Sequence, residues 1–181
     1  FYLDKGASKI EDFTSRFPFK FTTAQNKATE DIIGDMSGDR PMIRLLEGDV
    51  GSGKTAVAAS AAYAVVNTHP PGQSFGTLQV AYMAPTEILA RQHFESFIDL
   101  FTSTKPGRTV TTQIGLLTGS ECRKFPAKTG TSPSTHISRT QLLKWVENGE
   151  IPILIGTHAL IQKSVKFKHL ALVIVDEQHR F

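Results

Sequence analysis

A glycine-rich octapeptide constrains this chain more than any other feature. Residues 48–55 read GDVGSGKT, an unbroken G-x-x-x-x-G-K-[ST] pattern, with an apolar stretch before it and an alanine-rich stretch after it. Such a loop can close around phosphates where a β-strand leads into it and a helix begins at its end. The pattern therefore predicts a phosphate-loop α/β fold, with a mostly parallel sheet flanked by helices.

Each kind of residue in the octapeptide has its own part in binding a nucleoside triphosphate. The glycines let backbone amides turn inward in conformations that a Cβ would obstruct. Lys54 would place its ammonium group on the β and γ phosphates, and the Thr55 hydroxyl would bind Mg²⁺. The predicted nucleotide-binding set in this loop is Gly48, Asp49, Gly51, Ser52, Gly53, Lys54 and Thr55.

An aliphatic run that ends in two acids provides the second half of the predicted site. Residues 172–175 read LVIV, a composition typical of a strand buried on both faces, and Asp176 and Glu177 follow directly. Asp176 would hold Mg²⁺, usually through water, and Glu177 would polarise the attacking water. Acids after an apolar strand are common by themselves. The phosphate loop upstream is what favours ATP and Mg²⁺ as the cofactors.

Strand and helix signals alternate along the rest of the 181-residue chain, as expected for a parallel α/β sheet. Predicted strands cover residues 42–46, 78–83, 110–117, 151–155 and 170–175. Predicted helices begin at Thr22 or Thr23, Lys54, Thr86, Ser138 and Thr157. The polar segments 67–77 and 121–137 are predicted to be loops. The pattern indicates one domain over 17–181, preceded by a linker segment over 1–16.

Composition and charge exclude several classes of protein. No apolar run approaches the roughly 20 residues of a membrane span, so no membrane partner is expected. Cys122 is the single cysteine, which rules out a disulfide within the chain and a metal–cysteine cluster. A reducing compartment is expected for the protein. This would be the cytoplasm, or an organelle if the source is eukaryotic. The net charge of +3 permits contact with phosphate backbones but is weak evidence for it.

Several segments together resemble the superfamily 2 helicases. Residues 176–179 read DEQH and resemble motif II of that superfamily. Further resemblances to its motifs lie at 19–25, 84–93, 116–120 and 155–160. Within the superfamily the segments are most similar to the RecG family, and the Mfd family is the nearest relative. The resemblance implies the first RecA-like ATP-binding domain of a helicase, truncated just after the DEQH motif.

The resemblance also implies roles for particular residues. Gln25 would hydrogen-bond the adenine edge, and Phe19 would pack near the base. The implied catalytic set is Lys54, Asp176, Glu177, Gln178 and His179, the last two sensing the γ-phosphate. The implied DNA-binding residues are Pro85, Thr86, Gly119, Thr157 and His158. The two threonines are equally well explained as ordinary helix caps, an alternative that the sequence leaves open.

The function implied is that of an ATP-dependent DNA helicase that remodels stalled forks and Holliday junctions in recombination and repair. This chain would be its ATP-binding part, monomeric and inactive or nearly so by itself. Branched or forked duplex DNA would be gripped through domains outside these 181 residues. Two alternatives stay open, an Mfd-like translocase that couples transcription to repair, and a non-catalytic module that binds DNA in a nucleotide-dependent way.

Overall fold

A computed structural model describes residues 7–105, 108–127 and 133–177. The strands, in chain order, are β1 (Gln79–Met83), β2 (Thr102–Lys105), β3 (Arg108–Thr111), β4 (Ile114–Leu117), β5 (Cys122–Phe125), β6 (Thr135–His136), β7 (Ile153–Gly156) and β8 (Leu170–Val175). The helices are α1 (Ala7–Thr14), α2 (Thr23–Met36), α3 (Lys54–Val66), α4 (Glu87–Phe101) and α5 (Arg139–Glu147), with a 3₁₀ helix at His158–Ile161. No helix in the described ranges is long and apolar enough to cross a membrane.

One mostly parallel sheet organises these elements, in the order β6-β5-β4-β7-β1-β8. The neighbours β4, β7, β1 and β8 run parallel, whereas β5 and β6 continue the sheet in antiparallel fashion. Strands β2 and β3 form a separate antiparallel pair. Because the four parallel strands point the same way, the residues that follow them meet at one edge, where ligands of such sheets bind.

Side chains alternate between two cores on the opposite faces of the sheet. Along β1, Val80 and Tyr82 pack in a core that draws residues from α1 to α4. Ala81 packs in the other core, together with residues of α5 and the 3₁₀ helix. This period of two places helices on both sides of the sheet. The predicted α/β fold with a mostly parallel, helix-flanked sheet is confirmed.

Local capping fixes where the helices begin. The side chain of Thr22 accepts a hydrogen bond from the Gln25 backbone amide at the start of α2. Thr86 does the same for α4 and Ser138 for α5, each accepting from the backbone amide three residues on. A side-chain oxygen in this position satisfies a donor that the first helical turn leaves unpaired. These starts lie where the sequence predicts them.

Three predictions about strands were wrong. The single strand predicted over 110–117 is divided between β3 and β4, which belong to different sheets. Residues 42–46 do not form a strand, and Ile43 within them is fully exposed. Strand β8 lies at the edge of the sheet rather than buried on both faces, so that Val173 and Val175 remain largely exposed. The last two outcomes concern pairing, because a strand needs a hydrogen-bonding neighbour. Residues 42–46 pair with no strand, and β8 pairs with β1 alone in the described part of the chain.

Two segments predicted to lack structure contain regular elements. Within the expected linker 1–16, α1 buries Phe13 completely, stacked on Tyr63 with ring centroids 4.2 Å apart. Within the expected loop 121–137, β5 and β6 extend the sheet beyond β4. The polar sequence of β5 does not suggest a partly buried strand. Its Lys124 is nevertheless buried, with its amine over the ring of Trp145. Long cationic side chains can cover apolar surface in this way.

Candidate nucleotide and nucleic-acid sites

The glycine-rich loop leads into α3 through two residues in left-handed conformation. Gly51 and Gly53 have φ angles of 81° and 82°, a region that side chains rarely adopt. At Gly48 an added Cβ would lie 2.6 Å from the Ser52 hydroxyl oxygen. The Ser52 amide donates to the carbonyl of Asp49 at 3.1 Å, which closes the turn. The two left-handed glycines and the helix that begins at Lys54 agree with the sequence pattern, whereas the β-strand expected before the loop is absent.

Lys54 directs its ammonium group into this turn. Its Nζ donates to the carbonyl oxygens of Gly48 and Asp49, at 2.7 and 2.9 Å. The cation thus lies within the loop that would surround a phosphate. A positive charge beside a glycine-rich turn at a helix N-terminus is an arrangement suited to a polyphosphate.

A cavity of about 290 Å³ opens beside the loop. Gln25 lines the cavity, and its Oε1 accepts from the Thr22 amide while its Nε2 donates to the Ser52 carbonyl, both at 2.8 Å. Phe19 is 46% exposed at the side of the cavity, where a flat base could pack against it. The residues that line the cavity are Phe19, Gln25, Gly51, Gly53, Lys54 and Thr55. All six belong to the nucleotide-binding set predicted from the sequence.

Asp176 lies at the carboxyl end of β8, beside the loop. Its backbone amide donates to the Met83 carbonyl at 2.8 Å, and its Oδ2 lies 2.9 Å from Nε2 of His93. The hydrogen bond from His93 lowers the pKa of the Asp176 carboxyl, and the positive charge of Lys54 lowers this pKa further. Partial burial of the carboxyl opposes both effects. The carboxylate is therefore charged and close to the phosphate loop.

Tyr82 connects the two halves of the site. Burial raises the pKa of its hydroxyl well above the usual range, the charge of Asp176 raises it further, and a hydrogen bond with the Thr55 side chain opposes them. Tyr82 is therefore close to both Thr55 and Asp176, the two predicted Mg²⁺ ligands. A hydroxyl and a carboxylate are hard oxygen ligands that suit Mg²⁺. The donor set of this chain fits a Mg²⁺–nucleotide complex.

Glu177 adopts an unusual backbone conformation next to Asp176. Its φ angle of 49° is left-handed, which costs a non-glycine residue on the order of 1–3 kcal/mol. Such conformations cluster at functional sites, where surrounding structure maintains them. The predicted γ-phosphate sensors Gln178 and His179 lie outside the described residues.

The predicted DNA-binding residues follow three neighbouring parallel strands. Thr86, Gly119 and His158 are exposed and Pro85 is partly buried, all at the edge of the sheet that carries Asp176. Thr157 differs, because it is 2% exposed and its hydroxyl has no hydrogen-bond partner among the described residues. The structure thus brings four of the five to the surface and leaves the Thr157 hydroxyl covered.

Glu87 joins α4 to the loop after β4, a contact that no sequence pattern indicates. Its carboxylate accepts hydrogen bonds from the backbone amide of Ser120, at 3.1 Å, and from the Ser120 hydroxyl. One turn further along α4, Arg91 forms an ion pair with Glu121, with nitrogen and oxygen 2.6 Å apart. These two contacts hold the loop that contains Gly119 against the start of α4.

His93 and Tyr82 are also residues that the motifs do not single out. The helical period of α4 places His93 toward the sheet, but nothing in the sequence pairs it with a residue 83 positions away. Tyr82 lies within an apolar strand and is 2% exposed, as a core residue would be. Their positions beside Asp176 follow from the way β8 pairs with β1.

Comparison with known proteins gives a consistent result. The model of the DEAD/DEAH box helicase family matches residues 22–181. The chain is 44% identical to the ATP-dependent DNA helicase RecG of Aquifex aeolicus (strain VF5), over 92% of this chain and 18% of that protein. It is 45% identical to the ATP-dependent DNA helicase RecG of Bacillus subtilis (strain 168), over 93% of this chain and 21% of that protein.

A solved structure is similar in fold as well as in sequence. It is described as the structure of RecG bound to a three-way DNA junction, and it matches with a TM-score of 0.72 and 39% identity. The match covers 97% of this chain and 20% of that one. The RecA-like fold expected from the resemblance is confirmed. The chain spans about a fifth of the length of the relatives it matches.

Proposed function

Because the chain belongs to the DEAD/DEAH box helicase family, we propose that it binds ATP with Mg²⁺ and hydrolyses it within a DNA helicase of the RecG type. The strongest support is the convergence of two distant motifs on one edge of the sheet. Thr55 of the phosphate loop and Asp176 after β8 both lie close enough to Tyr82 to shift the pKa of its hydroxyl. A phosphate loop with a nearby carboxylate is the arrangement that Mg²⁺-dependent phosphoryl transfer requires.

Each residue of the site has a chemical task under this proposal. Lys54 and the loop amides would hold the β and γ phosphates, while Thr55 and Asp176 would hold Mg²⁺. When bound, Mg²⁺ neutralises the charge that develops on the phosphate oxygens. Glu177 would orient the attacking water and accept its proton. Gln178 and His179 are proposed to sense the γ-phosphate, as the family resemblance implies.

Gln25 would link recognition of the base to the phosphate loop. Its amide already bonds the Ser52 carbonyl, so its side chain lies between the cavity and the loop. An adenine edge offers both a donor and an acceptor, which a carboxamide can match. Phe19, exposed at the same cavity, would stack on the base. These two contacts would favour ATP as the nucleotide.

Similarity to the RecG helicases suggests what the hydrolysis drives. We propose ATP-dependent translocation on branched or forked duplex DNA, which remodels stalled forks and Holliday junctions during recombination and repair. Residues 17–181 would be the first RecA-like domain of a monomeric helicase, with α1 packed against it. The proposed compartment is the bacterial cytoplasm, where the DNA lies.

Contacts to DNA are proposed at the edge of the sheet beside the nucleotide. Thr86, Gly119 and His158 are exposed there, next to Pro85, and offer polar groups to a phosphate backbone. Contacts of this kind fix the position of DNA without reading its sequence. Thr157 would contribute through its place before the 3₁₀ helix, because its hydroxyl is covered and its amide donates to the Leu117 carbonyl.

Binding of a fluorescent ATP analogue tests the nucleotide site. The wild-type protein is expected to bind the analogue saturably with Mg²⁺, and Lys54→Ala to lose that binding because the cation on the phosphates is gone. Lys166→Ala removes a lysine whose side chain is 69% exposed, and serves as the control. Equal affinity in wild type and Lys54→Ala would refute the proposal, provided that circular dichroism shows both to be folded.

Fluorescence anisotropy with labelled duplexes tests the DNA contacts. His158→Ala is expected to weaken binding to unrelated sequences by the same factor, because a phosphate contact carries no sequence information. The logarithm of the affinity should fall linearly with the logarithm of the salt concentration. His69→Ala, which changes a histidine in the loop before β1, is the control. An affinity that His158→Ala leaves unchanged would remove this residue from the DNA track.

A further inference from the structure

His93 contacts the carboxylate that the proposed mechanism assigns to Mg²⁺. It lies in the second turn of α4, and its Nε2 is 2.9 Å from Oδ2 of Asp176. The His93 side chain is 12% exposed and that of Asp176 is 26% exposed. The contact is therefore partly shielded from water, which makes the hydrogen bond stronger than one on the open surface.

The chemistry of the two groups fixes the direction of this hydrogen bond. An ionised carboxylate only accepts, so the Nε2 atom of His93 must carry the proton and donate it. Asp176 is ionised in the state that the proposed function requires, because a carboxyl group holds Mg²⁺ as the carboxylate. The imidazole then orients one carboxylate oxygen, and a carboxylate with about four lone-pair sites can still accept from a metal-bound water beside the Glu177 amide.

The imidazole itself is held in place by its surroundings. Its ring lies against that of Tyr82, with centroids 4.7 Å apart and planes inclined at 44°. Tyr82 is buried and packs edge-on against Phe97, which lies one turn further along the same helix. On the other side of the contact, the amide of Asp176 is anchored to the Met83 carbonyl. Both partners of the hydrogen bond are thus fixed by packed elements.

We propose that His93 is a positioning residue for the nucleotide site, which orients the Asp176 carboxylate toward Mg²⁺ through its Nε2–H group. The inference rests on the proposed function, since it gives His93 a task only where Asp176 holds Mg²⁺. Carboxylates that hold metals are commonly oriented by such hydrogen bonds, and loss of the partner typically costs about 10-fold to 100-fold in metal affinity or activity.

A purely structural role is the competing explanation. A largely buried histidine on the sheet-facing side of a helix can serve as a packing residue and nothing more. A packing role depends on the volume of the side chain, whereas a positioning role depends on a hydrogen-bond donor where Nε2 now lies. Substitution by glutamine or methionine distinguishes the two roles, because these side chains have similar length and helix propensity but only glutamine has an N–H donor.

The test compares His93→Gln and His93→Met with the wild-type protein. Mn²⁺ binding to the protein–nucleotide complex is measured by electron paramagnetic resonance, and affinity for the fluorescent ATP analogue is measured with Mg²⁺ and with a chelator. His93→Met should raise the apparent metal dissociation constant roughly 10-fold to 100-fold. His93→Gln should stay close to wild type, and affinity in chelator should be the same for all three.

Each other outcome has a definite meaning. Wild-type metal affinity in both variants, or equal weakening in both, would overturn the role of the hydrogen bond. Absence of metal-dependent nucleotide binding in the wild-type protein would overturn the proposed function itself, and this inference with it. A double mutant with Asp176→Asn provides a further check, because His93→Met should have no additional effect on metal-dependent binding once the carboxylate is gone.

A measurement on the wild-type protein covers the case in which a variant does not fold. Long-range ¹H–¹⁵N spectra of the six histidine side chains report which ring nitrogen carries a proton. The His93 resonances are expected to show a protonated Nε2, with or without Mg²⁺–nucleotide. A ring in which Nε2 carries no proton would overturn the proposal, because such a nitrogen cannot donate to Asp176.

Discussion

Glu87 presents its carboxylate to a loop that is proposed to contact DNA. The hydrogen bonds with Ser120 lower the pKa of the Glu87 carboxyl, and a backbone hydrogen bond from Gly119 adds to the effect. Donors that satisfy a carboxylate in this way could also satisfy a phosphate oxygen. The loop after β4 is thus held in shape by a charged group of the chain itself.

The lowered pKa of Glu87 predicts how this contact depends on pH. Its contribution to the free energy of unfolding is fully present above the ordinary glutamate pKa of about 4.3. It is lost as the pH falls through the lower value of the folded state. An NMR titration of the Ser120 amide should show an inflection below pH ~4.3, and Glu87→Gln should abolish it. An inflection at or above the ordinary value would contradict the assignment.

At the scale of single residues, what the sequence predicts depends on the distance that separates the partners. Lys54 and Thr55 belong to a contiguous motif, so their positions follow from the spacing alone. His93 and Glu87 act on Asp176 and Ser120, which are 83 and 33 positions away. No local pattern specifies such pairs, because they form only when the order of the strands brings two elements together.

Helices and strands differ in how well the sequence specifies them. The starts of α2, α4 and α5 were predicted correctly because the signal is local, a hydroxyl that bonds the amide three residues later. Strand β5 was missed, and 42–46 was wrongly predicted as a strand, because a strand is stable only beside a neighbour. Strand prediction therefore fails where a polar segment is paired in the sheet, as in β5, or where an apolar segment is unpaired, as in 42–46.

Two glycines should respond in opposite ways to alanine. Gly34 lies within α2, and no atom approaches the place of an added Cβ, so Gly34→Ala should stabilise the protein by about 0.5–1 kcal/mol. Gly156 ends β7, where a Cβ would collide with the backbone carbonyl of Leu117 on β4. Gly156→Ala should destabilise the protein by about 1–3 kcal/mol or more.

Urea denaturation of both variants and of the wild type would measure these changes. The two substitutions add the same methyl group, so each serves as the control for the other. Similar midpoints in both variants would mean that β4 and β7 are not packed as closely as the parallel pairing between Leu117 and Gly156 indicates.

For the molecule as a whole, the charges around the nucleotide cavity limit the expected rate of hydrolysis. Among the residues that line it, Lys54 is the cation, and no arginine is included. An arginine placed on the transferring phosphate is worth roughly 10³-fold to 10⁵-fold in rate. The 181-residue chain alone should therefore turn ATP over slowly.

A phosphate-release assay with and without forked DNA would check this expectation. Lys54→Ala gives the background rate. Fast hydrolysis that DNA stimulates, in this chain alone, would show that the described cavity already contains every group that catalysis needs.

The position of β8 at the edge of the sheet couples ligand binding to local unfolding. β7 and β1 each pair on both sides, whereas β8 pairs with β1 alone among the described strands, and residues 42–50 join no ladder. Local opening of β8 would displace Asp176, and local opening of residues 42–50 would displace the start of the phosphate loop. A nucleotide that contacts both Asp176 and the phosphate loop would stabilise the form in which β8 and this loop are in place, because it binds that form preferentially. The fraction of sites that hold a nucleotide and the fraction of molecules in which β8 stays paired would then report the same equilibrium.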